Sequence, residues 1–365
     1  MRILLLSAYD AASHQYWRQS LVSQFPEHDF TALTLPARFF SWRIRGNSLT
    51  WAYSQRPVLE QGYDLIIATS MTDLSSLKGF VPALVNIPAI VYFHENQFAY
   101  PKSGKEFNSV EPQILSLYTA LAGDTVVFNT EYNKRTFLQG CQQLLKKLPD
   151  QVPKNIIDIL TDRSQVIPVP LLPSSFLQNK VTSGKLQIIW NHRWEFDKGP
   201  KLLLDAMLYL KQQGVDFTLH VVGECFRQVP EVFTRIKAQL FEHIGVWGYI
   251  EDKVQYQQLL QASDIVLSTA LHDFQGISVL EAVAAGCLPV VPNRLAYPEL
   301  FAPEYCYDDN ENELANLTTM IITIAKQKEQ RNLKLAPCVS HFSWETQRNH
   351  YRKLINNSGS KTHLK

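Results

Sequence analysis

Residues Ser268–Gly286 read STALHDFQGISVLEAVAAG, and this stretch decides how the chain is read. The apolar run DIVLSTA (Asp264–Ala270) predicts a buried strand. The loop LHDFQG follows, and ISVLEAVAA starts a helix that Gly286 ends. A strand, a glycine-bearing loop and a helix N-terminus in series make an anion site. Free backbone N–H groups and the positive end of the helix dipole converge there. Two carboxylates flank the spot, Asp273 in the loop and Glu281 one turn into the helix.

The same alternation extends outward. Upstream, LQIIWNHRW (Leu186–Trp194) predicts a strand running into a polar loop, and KGPKLLLDAMLYLKQQG a helix with a glycine stop. DFTLHVVGE, VWGYI and CLPVVPN add strands to this half. The first half repeats the architecture. Arg2–Ala8, DFTALTLP, Tyr63–Ser70, Pro88–Glu95 and Asp124–Thr130 predict strands. Helices are predicted from about Ser13 to Phe25, at PQILSLYTALAG and from EYNKRTFLQG. Strands alternating with helices imply parallel sheets covered on both faces. The expected fold is α/β with two doubly wound, Rossmann-like domains facing across a cleft. The expected domains are 1–173, 174–342 and a C-terminal helix and tail, 343–365, that crosses back. The joint falls near Pro168–Gly184, and the tail Asn357–Lys365 is expected to fray.

Composition narrows the classes. A chain of 365 residues, 45% hydrophobic, exceeds one ordinary core, which supports two domains. A formal net charge of +1 gives no global attraction to polyanions, so any nucleic-acid signal must be local. Five scattered cysteines without CxxC spacing argue against a disulfide framework or a zinc site. The apolar start MRILLLSAYD is too short for a signal peptide, and no run reaches membrane-spanning length. The expectation is a soluble cytoplasmic protein without a membrane partner.

In doubly wound sheets ligands bind at the carboxyl ends of strands. Four strand ends carry chemistry. After the first strand come Tyr9–His14, whose small residues Ala11, Ala12 and Ser13 allow close approach of a ligand. The alternative is an ordinary turn with Ser13 as N-cap. After PAIVYF come His94, Glu95, Asn96 and Gln97, four polar groups that packing explains poorly. They suit hydroxyls and base edges, or else a capped loop with a neutral His94. After LQIIW come Arg193 and Lys198, the latter just before a helix whose dipole it opposes. Arginine as a fork and lysine as a point charge suit a diphosphate, and solvated surface cations are the alternative. The fourth end is the opening stretch. Together these ends point to a nucleotide-sugar diphosphate. From Thr31 to Leu59 there is no acid, and Arg38, Arg43, Arg45 and Arg56 interleave with Phe39, Phe40, Trp42, Trp51 and Tyr53. This window fits either RNA phosphates and bases or a loop whose aromatics pack on the sheet.

DFQGISVLE resembles the E-x7-E signature of retaining glycosyltransferases of GT-B architecture, here Asp273-x7-Glu281. HRWEFDKG resembles their Arg…Lys-Gly donor motif. RILLLSAYDAASHQYW, LPARFFSWRIRG, VYFHENQFAYP, HRWEFDKGP, HDFQGISVLEAV and CLPVVPNRLAYPEL are similar to the tRNA-queuosine mannosyltransferase family. The resemblance implies transfer of mannose from GDP-mannose to queuosine in tRNA-Asp, with retention, no metal and no cofactor beyond the donor substrate. It implies Arg193 and Lys198 on the diphosphate with the N–H groups of Gly276, Ile277 and Ser278. Glu281 would hold the ribose, Asp273 would face the sugar, and His94 would approach sugar and acceptor. Ser13, His14, Arg38, Trp42, Arg43, Arg45, Glu95, Asn96 and Gln97 would meet the tRNA acceptor. Two positions depart from the pattern: Asp273 replaces a glutamate, and Ala11-Ala12 replaces Gly-Gly. Asp308-Asp309 lies in a polar loop and reads as structural. The competing readings are a GT-B enzyme with another sugar nucleotide and a lipid, polysaccharide or small-molecule acceptor, a sugar-nucleotide epimerase, and a non-catalytic RNA-binding protein.

Overall fold

The computed structural model describes residues 1–100, 109–176, 184–225 and 229–359. Residues 177–183 of the expected joint and 360–365 of the tail lie outside the described residues. The chain divides into two compact units, Met1–Pro170 with Trp344–Lys365, and Leu171–Ser343.

The first unit holds strands β1 (Arg2–Ser7), β2 (Asp29–Thr34), β3 (Leu65–Thr69), β4 (Ala89–Phe93), β5 (Thr125–Phe128) and β6 (Ser164–Val166). Their order is β2-β1-β3-β4-β5-β6, and every pairing is parallel. Strands β3 and β4 are buried throughout, as their continuous apolar runs require. One face carries Leu4, Leu6, Ile66, Ala68, Val91 and Phe93 into a core cluster. On the other face Tyr92 stacks on Trp17, with ring centroids 4.4 Å apart, and meets Tyr351 of the last helix, Trp344–Gly359. Strand order reverses between β1 and β3, so the switch point lies at their carboxyl ends.

The second unit holds β7 (Leu186–Asn191), β8 (Phe217–Val222), β9 (Ile244–Gly248), β10 (Ile265–Leu267), β11 (Leu288–Pro292) and β12 (Cys306–Tyr307). Their order is β12-β11-β10-β7-β8-β9, again all parallel. The switch point here lies between β7 and β10, the two strands that precede Arg193 and Asp273.

Three local expectations change. The window Thr31–Leu59 is not a loop over most of its length, since helices occupy Phe40–Ser54 and Arg56–Leu59. The buried face of the first includes Arg43, Asn47 and Ser48 beside Ile44, Trp51 and Ala52, so its helical period is invisible to a hydrophobic count. Ser13 is not an N-cap. The helix spans Ala12–Gln24, and Ala11 takes the cap position without a side-chain bond. The key strand is also shorter than DIVLSTA, because β10 stops at Leu267 and leaves Ser268–Gly276 to the loop.

Candidate active site

Two loops at the second unit's switch point are stitched together by backbone bonds. Leu271 and His272 donate their N–H groups to the Asp197 carbonyl at 2.8 and 3.1 Å. Thr269 Oγ1 donates to the Lys198 carbonyl at 2.8 Å and accepts from Trp190 Nε1 at 3.1 Å. Gly199 sits at φ +62°, where an added Cβ would collide with the Thr269 carbonyl, so only glycine fits this crossing.

Stitching the loops brings Lys198 to Asp273. The amine is buried, donates to the His272 carbonyl at 2.6 Å and lies 3.6 Å from Asp273. Arg193 is exposed and pairs with Glu195 at 2.8 Å and Asp197 at 3.6 Å. Burial raises the Asp273 carboxyl, but Lys198 and the neighbouring His192, His272 and Tyr297 outweigh it, and the group stays below the usual carboxylate range. His192 and His272 are lowered to about 3, by burial and then by Lys198, so both rings are neutral. Asp273 Oδ1 accepts the Gly276 N–H at 3.0 Å, so this donor serves the loop. The helix Ile277–Ala284 begins one residue later, and the first-turn N–H groups of Ile277 and Ser278 have no intrahelical acceptor. Glu281 is half-buried on this helix, and burial pushes its carboxyl up to about 7 against the pull of Lys253. Asn191, at the end of β7, donates to the Ser278 carbonyl at 2.8 Å and to Tyr256 Oη at 2.9 Å. Sequence reading overlooked Asn191, although its strand-end position marked it.

The first unit's rim is of another kind. His94 directly follows β4, and its ring lies 4.3 Å from that of His14, 4.8 Å from Trp17 and 4.7 Å from Tyr92. Burial lowers His14 to about 4 and holds His94 well below the ordinary imidazole range, so both are neutral. Both His14 ring nitrogens and His94 Nε2 are buried without a hydrogen-bond partner among the described residues. An amide ladder fixes the backbone beneath them. Asn129 Nδ2 donates to the His94 carbonyl at 2.9 Å, and Asn133 Nδ2 donates to the Phe93 carbonyl at 2.9 Å and to Asn129 Oδ1 at 2.8 Å. Asn96 is buried within this ladder, donating to Asn133 Oδ1 at 2.8 Å and accepting from Phe98 N at 2.9 Å. Its amide is engaged inside the protein. Glu95 and Gln97 are half-buried beside it, and Gln97 Nε2 meets Met71 Sδ at 3.6 Å.

The arginines of the Phe40–Ser54 helix separate by environment. Arg45 pairs with Asp73 and with Glu111, each at 3.1 Å. Arg43 is buried, and its Nε has no partner among the described residues. Arg38 is exposed and lies 5.7 Å over the Phe39 ring. Phe39 is 72% exposed at φ 55°, and Trp42 is 56% exposed. Ser13 is exposed at the start of its helix. Asp309 pairs with Arg294 at 3.6 Å, consistent with a structural loop.

Two parallel Rossmann-like units, with cations, carboxylates and a helix N-terminus gathered at a sheet switch point, define a glycosyltransferase of GT-B class. Residues 175–334 match the family model for glycosyl transferases group 1. The fold is shared by Anabaena HepE solved with UDP and glucose, which is 16% identical with a TM-score of 0.66 over 98% of this chain and 99% of that one. It is also shared by sucrose-phosphate synthase from Thermosynechococcus elongatus, 14% identical with a TM-score of 0.71 over 98% of each chain. Residues 2–171 match the model for the N-terminal region of tRNA-queuosine alpha-mannosyltransferase. The Drosophila melanogaster tRNA-queuosine alpha-mannosyltransferase is 32% identical over 341 residues, 90% of both chains. The chain therefore belongs to the tRNA-queuosine alpha-mannosyltransferase family.

Proposed function

We propose that this enzyme moves mannose from GDP-mannose to the cyclopentene diol of queuosine at the wobble position of tRNA-Asp, with retention and without a metal. One observation carries the donor half: Arg193, Lys198, Asp273 and an open helix N-terminus meet at the second unit's switch point. As the C1–O bond breaks, the leaving diphosphate gains charge. Arg193, Lys198 and the N–H groups of Ile277 and Ser278 stabilise it, a role other transferases give to a divalent ion. Glu281 accepts from the ribose hydroxyls, and Asp273 faces the sugar. The acceptor hydroxyl attacks C1 on the face the diphosphate leaves and passes its proton to the departing phosphate oxygen, and the neutral His94 offers a hydrogen bond to sugar or acceptor hydroxyls.

The acceptor half rests on the family and on the first unit's surface. Arg38, Phe39 and Trp42 offer exposed charge and rings for phosphates and bases, and Arg43 offers a cation whose Nε has no partner among the described residues. Arg45 is already paired and contributes less. A tRNA acceptor and five unbridged cysteines suit the cytoplasm.

The test is incubation with GDP-mannose and tRNA carrying or lacking queuosine, with and without EDTA. Mannose on queuosine-containing tRNA alone, undiminished by EDTA, is expected. Transfer to unmodified tRNA overturns the acceptor, failure of GDP-mannose where another sugar nucleotide works overturns the donor, and loss in EDTA overturns the metal-free step.

A further inference from the structure

The sugar-facing carboxylate sits at the end of a buried hydrogen-bond chain that the donor motif does not include. Ala270 N–H donates to Ser268 Oγ at 3.3 Å, Ser268 Oγ lies 2.8 Å from Tyr297 Oη, and Tyr297 O–H donates to Asp273 Oδ2 at 3.1 Å. Ser268 and Tyr297 are fully buried. Burial, and then Asp273, push the Tyr297 phenol well above its ordinary range, so it keeps its proton and donates. Tyr297 comes from the short helix Tyr297–Leu300 after β11, outside the Arg193–Lys198 and Asp273–Glu281 donor motifs.

The other Asp273 oxygen is fixed as well, since Oδ1 accepts the Gly276 N–H at 3.0 Å. The tyrosine ring also bounds Gly276, whose added Cβ would stand 3.0 Å from Tyr297 Cε1. Two features thus share one side chain, the carboxylate and the glycine that opens the helix, and Lys198 lies 3.6 Å from the same Asp273 Oδ2. A carboxylate is short of freedom when each oxygen already holds a directional bond. Its orientation and ionisation are then set by the protein before substrate arrives.

We propose that Tyr297 is a positioning residue for sugar transfer: its hydroxyl, supported by Ser268, holds Asp273 in the orientation that pairs it with Lys198 and caps Gly276. This rests on the donor-site reading given above. It also explains why aspartate stands where the broad motif has glutamate. A longer side chain cannot keep both the Tyr297 bond and the Gly276 bond at their present lengths. The groups facing Asp273 are Lys198, His192, His272 and Tyr297. Of these only the tyrosine bond is removed by Tyr297→Phe, which leaves the ring and its packing in place.

The experiment compares Tyr297→Phe, Ser268→Ala, Asp273→Glu and Lys198→Ala in full-length enzyme, reading kcat, acceptor KM and the acid limb of the pH–rate profile. Tyr297→Phe is expected to lower kcat about tenfold with acceptor KM unchanged, and to move the acid limb to higher pH, because a bond favouring the carboxylate is gone. Ser268→Ala moves the limb the same way by less. Asp273→Glu loses activity and does not gain it. A merely structural tyrosine would lower the melting temperature and leave the acid limb in place, and that result overturns the proposal. So does an Asp273→Glu enzyme more active than the native one. If Tyr297→Phe does not fold, an unmoved limb in Ser268→Ala overturns it alone. Lys198→Ala separates the two levels. Full turnover there removes the donor-site reading itself, whereas loss there with unaltered Tyr297→Phe and Ser268→Ala removes only the role of the tyrosine.

Discussion

The switch point of the second unit is built from charges, and the end of β4 in the first mostly from neutral rings and amides. Around β7 and β10 two cations and several carboxylates lie within 4 Å of one another, tied by loop-to-loop backbone bonds. Around β4 the edge carries two uncharged imidazoles, with aromatic packing above and an asparagine ladder below, beside the half-buried Glu95 and Gln97. The difference fits the roles proposed for the two rims. A leaving diphosphate needs charge that is fixed beforehand. A hydroxyl nucleophile and a sugar need uncharged partners that do not compete for the diphosphate.

The largest effect that tests this contrast is on Lys198. In the proposed reaction its amine meets the developing diphosphate charge, so Lys198→Ala is expected to lower kcat by about 10² to 10³. The same amine also satisfies the His272 carbonyl and faces Asp197 and Asp273, so a loss of stability of about 1–3 kcal/mol accompanies it. Steady-state kinetics beside thermal melting separates the two. A variant that melts early but turns over normally would make Lys198 a purely structural cation, and the charged rim would lose its chemical meaning.

The neutral rim predicts a smaller and different loss. Asn133 carries no charge and reaches no ligand, yet its amide bonds both the Phe93 carbonyl and Asn129. Asn133→Ala removes the ladder that orients His94, and kcat is expected to fall about tenfold. The pH profile should keep its shape, because His94 is neutral throughout the working range and gains no charge on losing the ladder. Native turnover in a correctly folded Asn133→Ala enzyme would show that His94 is oriented by its ring neighbours alone.

This contrast also explains what was legible in the sequence. Strands β1, β3, β4 and β5 and, in the second sheet, β7 to β11 showed as apolar runs, because parallel strands are buried on both faces, whereas the two-residue β12 did not show. Arg193, Lys198 and Asp273 stood out because charge at a strand end has no packing explanation, and Glu281, which the helix dipole alone would favour, stood out by its spacing from Asp273. Positioning residues did not stand out. Asn129, Asn133, Asn191 and Tyr297 act by bonds to residues distant in sequence, and an asparagine or tyrosine near a strand end is ordinary. The helix Phe40–Ser54 was hidden for a related reason, since its inward face holds Arg43, Asn47 and Ser48, with Asn47 bonding the Met71 carbonyl at 3.2 Å. Where polar groups face inward, periodicity of hydrophobicity no longer reports the fold.

Glu281 carries the smallest predicted effect and tests whether the charged rim is tuned as well as charged. Burial raises its carboxyl to about 7, while Lys253 acts the other way, and Tyr256 stands beside it. Because the folded value lies above the ordinary 4.5, folding favours the protonated form. This contribution to stability is full below about 4.5 and is lost as pH rises through about 7. A ribose hydroxyl that donates to Glu281 favours the opposite, ionised form. Donor binding should therefore release part of a proton near neutrality, and donor KM should fall as pH rises through about 7. Glu281→Gln keeps the shape and removes the titration. It should bind donor more weakly at high pH, show no KM dependence across neutrality and melt higher than native enzyme above pH 7. Calorimetry of GDP binding in buffers of different ionisation enthalpy reads the proton directly. Equal heats for the native enzyme in every buffer would mean that Glu281 does not exchange its proton for the ribose, and the charged rim would then act through Arg193, Lys198 and the helix N-terminus alone.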